Sequence, residues 1–238
     1  VWWWCVAAAT AVMALAVWTR VPADPVRSGT GSAAAVPWRS RAGLTVRSRG
    51  PWLGALTFGV YAAQWMAVIG FLPTLYAESG WVGAVGATLT ATVAAANVIG
   101  NVAAGFLLHR GRRPALVLGL GFAGQAVGTF LAFATLTSGQ PVLRYAGALV
   151  FSAVGGLIPG GIFGLAPTLA PSEPTISTTV GWIQQWSSGG QVIGPPVVAW
   201  LATVLGGWQW TWAFSLGCCL IGVTLATRLS SFVAARSQ

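Results

Sequence analysis

The sequence predicts an all-α, polytopic membrane helical bundle of about seven transmembrane helices. Three observations carry that expectation. Seven apolar runs approach or exceed spanning length, charged residues make up only 6% of the chain against 55% hydrophobic, and the arginines fall almost entirely on alternate connecting loops. A helix rising about 1.5 Å per residue needs about 20 residues to cross a hydrocarbon core of about 30 Å. A soluble domain carries about a quarter charged residues to cover its surface. Sustained period-two alternation is absent, which excludes a transmembrane β-barrel.

The first apolar run covers residues 1–18 and opens on Val1, Trp2, Trp3, Trp4 and Cys5. It has neither a basic leader nor a small-residue cleavage site, so it is not a secretory signal. It reads as a helix entered partway, which predicts an amino-terminally incomplete sequence or a half-length product. Residues 19–51 are the one long hydrophilic stretch, with Arg20, Arg27, Arg39, Arg41, Arg47 and Arg49 set against a single acid, Asp24. Their Pro, Ser, Gly and Ala content predicts a linker without a packed core. Six further apolar runs follow at 53–76, 82–108, 115–136, 145–170, 177–204 and 209–227. Tight loops join them. The expected organisation is one helix of an incomplete amino-terminal bundle (1–18), a basic cytoplasmic linker (19–51) and a six-helix bundle (52–238).

The charge pattern sets the expected orientation. Every basic residue is an arginine and the formal net charge is +9. Short loops between apolar runs carry these arginines, as topology signals do, and the pattern of a groove-tracking nucleic-acid surface is missing. Arg110, Arg112 and Arg113, then Arg228 and Arg236, lie on the same side as the linker. The positive-inside rule therefore predicts residues 19–51, 109–114, 171–176 and the carboxyl end in the cytoplasm. Arg144 alone runs against the rule. Trp52, Trp81, Tyr145, Trp208, Trp210 and Trp212 sit at span ends, where amphipathic rings prefer the interface.

Catalytic chemistry finds little support. Cys5, Cys218 and Cys219 all lie in apolar runs, and no Cys/His ligand spacing exists, so buried thiols are expected and no metal or cofactor. His109 stands alone at a helix end. No phosphate-binding glycine loop occurs. The expectation is that the protein is not an enzyme.

No Asp, Glu, Lys or Arg lies in the middle of a span, so no intramembrane carboxylate offers itself for proton coupling. The polar groups within the runs are amides and hydroxyls. Tyr61 and Gln64 lie in the second run, Asn97 and Asn101 in the third, Gln125 in the fourth, and Gln184, Gln185, Ser187, Ser188 and Gln191 in the sixth. Asn97 and Asn101 are spaced i, i+4 and share a helix face, as do Gln184 and Gln191 seven apart. Such amides either bond between helices or line a solute cavity. Pro159 follows a glycine-rich stretch in the fifth run, and Pro195 and Pro196 follow Gly194 in the sixth, which places candidate helix bends there.

Residues Gly105, His109, Arg110, Gly111, Arg112 and Arg113 close the third run and enter a turn. This segment resembles the major facilitator superfamily loop signature Gly-x-x-x-Asp-Arg-x-Gly-Arg-Arg, with two departures. His109 takes the acidic position, and one residue is missing before Gly111. Together with Gly70-Phe71-Leu72-Pro73, Asn97-Val98-Ile99-Gly100-Asn101, Gly155-Gly156-Leu157-Ile158-Pro159 and Gly194-Pro195-Pro196, the chain is similar to the carboxyl-terminal half of such a transporter. The order of these motifs is similar to that of the cyanate permease and nitroimidazole transporter branch.

The resemblance implies secondary transport of a small polar or anionic organic solute by alternating access, with a missing amino-terminal half as partner. It implies an inner (plasma) membrane location with the carboxyl terminus cytoplasmic. Tyr61, Gln64, Asn97, Asn101, Gln184 and Gln191 are the expected solute-binding residues; Gly105, His109, Arg110, Arg112 and Arg113 the expected gating loop; Pro159, Pro195 and Pro196 the bends. The alternative is a non-transporting half-bundle or regulatory remnant.

Overall fold

The computed structural model describes residues 2–20 and 37–236. The chain divides into two units, Val1–Val36 and Pro37–Gln238. The first contains α1 (Trp2–Arg20), a 19-residue helix. In the second follow α2 (Trp38–Arg47), α3 (Arg49–Glu78), α4 (Gly83–His109), α5 (Pro114–Phe133), α6 (Pro141–Gly155), α7 (Leu157–Leu169), α8 (Ile176–Leu205) and α9 (Thr211–Arg236). The described residues contain no strand. Among the described residues seven segments are long and apolar enough to cross a membrane: α1, α3, α4, α5, the α6–α7 pair, α8 and α9. The fold is the all-helical membrane bundle that the hydropathy pattern predicts.

Short turns make successive spans of the second unit antiparallel. The α4–α5 turn, the α7–α8 connection and the end of α9 therefore meet at one end of the bundle. Arg236 ties two of them together, its Nη1 donating to the carbonyls of Thr168 at 2.8 Å and Ala170 at 2.6 Å. At the opposite end aromatic rings pack around the turns. Phe71 and Trp208 have ring centroids 4.3 Å apart, and Tyr76 lies between Trp81 and Tyr145. Glu78 and Arg144 both line a cavity there, and Arg144 Nη2 donates to the Ala134 carbonyl at 3.3 Å.

Helix α3 is the centre of the unit. It packs most extensively on α8 and also touches α9, α7 and α4. Lipid tails are as apolar as leucine, so helices in a bilayer associate by close packing and polar contacts rather than by hydrophobic burial. The sequence supplies the small residues this requires. Gly59 and Ala63 of α3 meet Gly190 and Gly194 of α8, and a Cβ on Gly194 would fall onto the Ala63 carbonyl oxygen. Gly100 of α4 likewise abuts Ala153 and Gly156, while Gly128 of α5 abuts Gly147 and Phe151 of α6. Each pair brings two backbones together.

The structure departs from the predicted linker. Residues 21–36 lie outside the described residues, but Trp38–Arg47 is helical and α3 begins at Arg49, before the expected Trp52. Helix α2 is docked. Thr45 is buried and its Oγ1 lies 2.7 Å from Thr178 Oγ1 of α8, while Trp52 Nε1 donates to the Val46 carbonyl at 2.7 Å. Composition pointed to an unpacked segment; a short helix with one inward threonine needs too few apolar residues to register in it.

Candidate functional site

The fifth span is interrupted at one residue, Gly156, which keeps right-handed helical dihedrals (φ −58°, ψ −18°). Gly155 ends α6, Leu157 starts α7, and the break lies near the middle of the span. Its cause is local. Pro159 has no N–H to give the Gly155 carbonyl, and its ring crowds that carbonyl, while Gly155 and Gly156 offer little resistance to bending. The sequence places a bend at Pro159, and the structure places the break three residues earlier. By contrast α8 continues through Pro195 and Pro196 as a single helical element.

Asn97 of α4 contacts α6 one turn before this interruption, at a carbonyl that also accepts from Gly156 N–H. Its Nδ2 donates to the Ser152 carbonyl at 2.9 Å and to the Tyr61 hydroxyl at 3.0 Å, joining α4 to α6 and α3. Its Oδ1 accepts from Asn101 Nδ2 at 2.8 Å. The close approach of backbones makes this reach possible, because a Cβ on Gly156 would collide with the Asn97 carbonyl and one on Gly160 with that of Asn101. Both asparagines are half-buried. Ser152 Oγ is buried without a hydrogen-bond partner among the described residues. The cluster offers neutral donors and acceptors at mid-span. The amide donors of Asn97 and Asn101 are taken up by bonds within the bundle, and the cluster contains no nucleophile paired with a base.

Gln64 belongs to a second cluster. Fully buried, it donates from Nε2 to Gln125 Oε1 of α5 at 2.9 Å. Its Oε1 accepts from Ser215 Oγ of α9 at 2.5 Å and from Cys219 Sγ at 3.5 Å. Thr129 Oγ1 lies 3.0 Å from Ser215 Oγ and donates to the Gln125 carbonyl at 2.7 Å or shares its proton between the two. This network fastens α3 to α5 and α9. Sequence reasoning places Gln64 with Tyr61 because they are three residues apart; the structure turns them to different neighbours. It left Gln125 among the unassigned polar groups and missed Ser215 and Thr129, whose only signal is a polar side chain inside an apolar run.

The α8 glutamines lie elsewhere again. Gln184 is exposed, and Gln191 is half-buried with its Nε2 3.3 Å from Ser187 Oγ. Both flank the α3 contact, on a helix that does not pack against α4. The six expected binding residues thus fall into three groups rather than one face.

If the Gln64–Gln125 bond holds α3 to α5, the two side chains must be coupled. Gln64→Leu and Gln125→Leu should each destabilise the purified protein, and the double variant should lose less than the sum, by about 0.6–1.7 kcal/mol. Unfolding in detergent gives the coupling. Strict additivity would remove this role.

The loop that follows Gly105 is a helix stop. Gly111 takes φ +73°. Its N–H donates to the Leu108 carbonyl at 2.9 Å and that of Arg112 to the Leu107 carbonyl at 3.0 Å, the paired bonds of a Schellman cap. A left-handed glycine two residues after His109 is what that cap needs. Arg110 stacks its guanidinium 5.0 Å from the Phe106 ring centroid, anchoring the turn over the apolar helix.

An all-helical bundle with small-residue interfaces and polar clusters shut between apolar helices defines a polytopic membrane protein. The family model of the Major Facilitator Superfamily matches residues 54–234, and the chain belongs to that superfamily. It is thus a multi-pass membrane transporter protein of a family of carriers rather than enzymes. Comparison with curated proteins and with solved structures gives no match.

Proposed function

We propose that the protein is a secondary active transporter of a small polar or anionic organic solute, working by alternating access together with a second helical bundle. The observation that carries this reading is the Asn97 amide, half-buried at mid-span beside the α6–α7 break and bonded to Tyr61, Asn101 and the Ser152 backbone. Carriers of this kind hold their solutes near the bilayer midplane, at the interface between their repeats. Tyr61, Asn97 and Asn101 form the first contact group in this proposal. Gln184 and Gln191, with Ser187, form a second on α8, and Gln64 has a structural role. The motif order that resembles the cyanate permease branch supports a small anion among the solutes.

Thermal unfolding of the purified chain with a panel of small carboxylates, amides and linear inorganic anions tests the binding step. A saturable rise in Tm with at least one solute, reduced in Asn97→Ala, is expected, because a ligand that binds only the folded state stabilises it. A solute shift that persists unchanged in Asn97→Ala and Asn101→Ala would move the site elsewhere.

The proposed orientation puts the end holding Arg110, Arg112, Arg113 and Arg236 in the cytoplasm. Single cysteines at Ser79 and Ser138 should react with an impermeant reagent added outside intact cells, and cysteines at Ser48 and Ser172 should not. Cys219 is best replaced by Ser in that background, which keeps a donor to Gln64. The reverse pattern would invert the topology.

A further inference from the structure

We propose that the cavity between the α4–α5 turn, α7 and the last turns of α9 is a binding site for a phosphate group. The cavity measures about 990 Å³. His109, Arg112, Arg113, Thr227, Ser230 and Ser231 supply its polar wall. Neither Glu78 nor Glu173 lines it, so its two guanidinium groups face no carboxylate there. His109 stands at the one loop position where an acid would have answered them. A cavity of this charge accepts an anion, and two arginines suit the tetrahedral, many-acceptor geometry of phosphate, whereas the Thr227 and Ser231 hydroxyls already donate to the Thr224 and Thr227 carbonyls.

Helix α5 adds to the attraction. Pro114 and Ala115, its first residues, form part of the wall, and no side chain caps this 20-residue helix. Its positive dipole end therefore lies at the cavity. The depth also fits. Ser230 and Ser231 lie 19 and 20 residues beyond Thr211, the first residue of α9, or about 30 Å along the helix, close to the thickness of the hydrocarbon core. If α9 enters the hydrocarbon at Thr211, these hydroxyls reach its opposite edge, beside the headgroup layer. Leu108, Leu165 and Val233 give the cavity an apolar floor. Two sources share this chemistry, an anionic phospholipid headgroup and a soluble phosphate.

The test uses the purified chain in detergent, with phosphatidylglycerol retention read by native mass spectrometry and inorganic phosphate binding read by thermal unfolding. Arg112→Gln with Arg113→Gln is compared with Arg47→Gln with Arg49→Gln, which removes the same charge outside the cavity. Wild type and the second pair should bind the phosphate probe, and the first pair should lose about tenfold or more in affinity. Ser231→Leu, which puts an apolar side chain on the cavity wall and leaves every charge in place, should weaken binding as well and guards against misfolding of the arginine pair. Dependence on Arg112 and Arg113 for phosphatidylglycerol alone identifies a lipid site; for inorganic phosphate alone, a soluble-anion site. If neither probe depends on these arginines, or the Arg47 and Arg49 pair loses as much, the proposal fails.

Discussion

Gly194→Leu should unfold or aggregate the protein under conditions in which Gly189→Leu leaves it folded. A Cβ at Gly194 falls onto the Ala63 carbonyl oxygen and close to its Cα, whereas one at Gly189 meets nothing within 4 Å. The clash is with backbone, so no side-chain rotamer relieves it. Helices α3 and α8 would have to separate along the most extensive contact in the bundle, and Gly190 against Gly59 would be lost with it. Overpacking of this kind costs about 1–3 kcal/mol and more where backbone must move. With a bundle of this size the upper end corresponds to a Tm lower by roughly 6–12 °C. Melting of the two variants in the same detergent decides it. Equal Tm values would mean that the α3–α8 contact is looser than drawn.

Asn97→Ala should have the second largest effect, on stability and on solute binding together. Removal of the amide takes away the bonds to Tyr61, Ser152 and Asn101 at once. Interhelical hydrogen bonds in membranes contribute about 0.6 kcal/mol on average and up to about 1.7, so the two lost between helices amount to roughly 1–3 kcal/mol. Asn101→Ala removes bonds that stay within α4 and should cost under about 1 kcal/mol. On the transport side, losing one contact to a neutral polar partner should weaken affinity by about 2- to 13-fold. The ranking of Asn97 over Asn101 in unfolding experiments is the check. The reverse order would show that the break in the fifth span is held by something other than Asn97.

The spans were legible because hydropathy is a property of single segments and needs no knowledge of neighbours. The same holds for the α4 stop, where Gly111 and the arginines announce a cap and a turn, and for the shared face of Asn97 and Asn101, which is only helical spacing. What pairs across helices was not legible. Tyr61 finds Asn97 thirty-six positions away, and Ser215 finds Gln64 one hundred and fifty-one away. Nothing in either segment names its partner. One further signal was present in the chain: small residues four apart, at Gly59 and Ala63, Gly100 and Ala104, Gly156 and Gly160, and Gly190 and Gly194. That spacing marks the helix faces that touch, and it would have separated Gln64 from Tyr61 by showing which side of α3 belongs to α8. Helix α2 escaped notice because its composition is basic and its single buried residue, Thr45, is polar.

The most direct test of the central claim is solute uptake by proteoliposomes carrying the protein, across a panel of small polar and anionic solutes, with a pH gradient or membrane potential imposed. The account predicts saturable accumulation of at least one solute above empty liposomes, weakened about 2- to 13-fold in affinity by Asn97→Ala and unchanged in solute preference by Gln64→Leu. Uptake equal to that of empty liposomes across the whole panel, in vesicles where folded and inserted protein is verified, would contradict the claim and leave a bundle that does not transport.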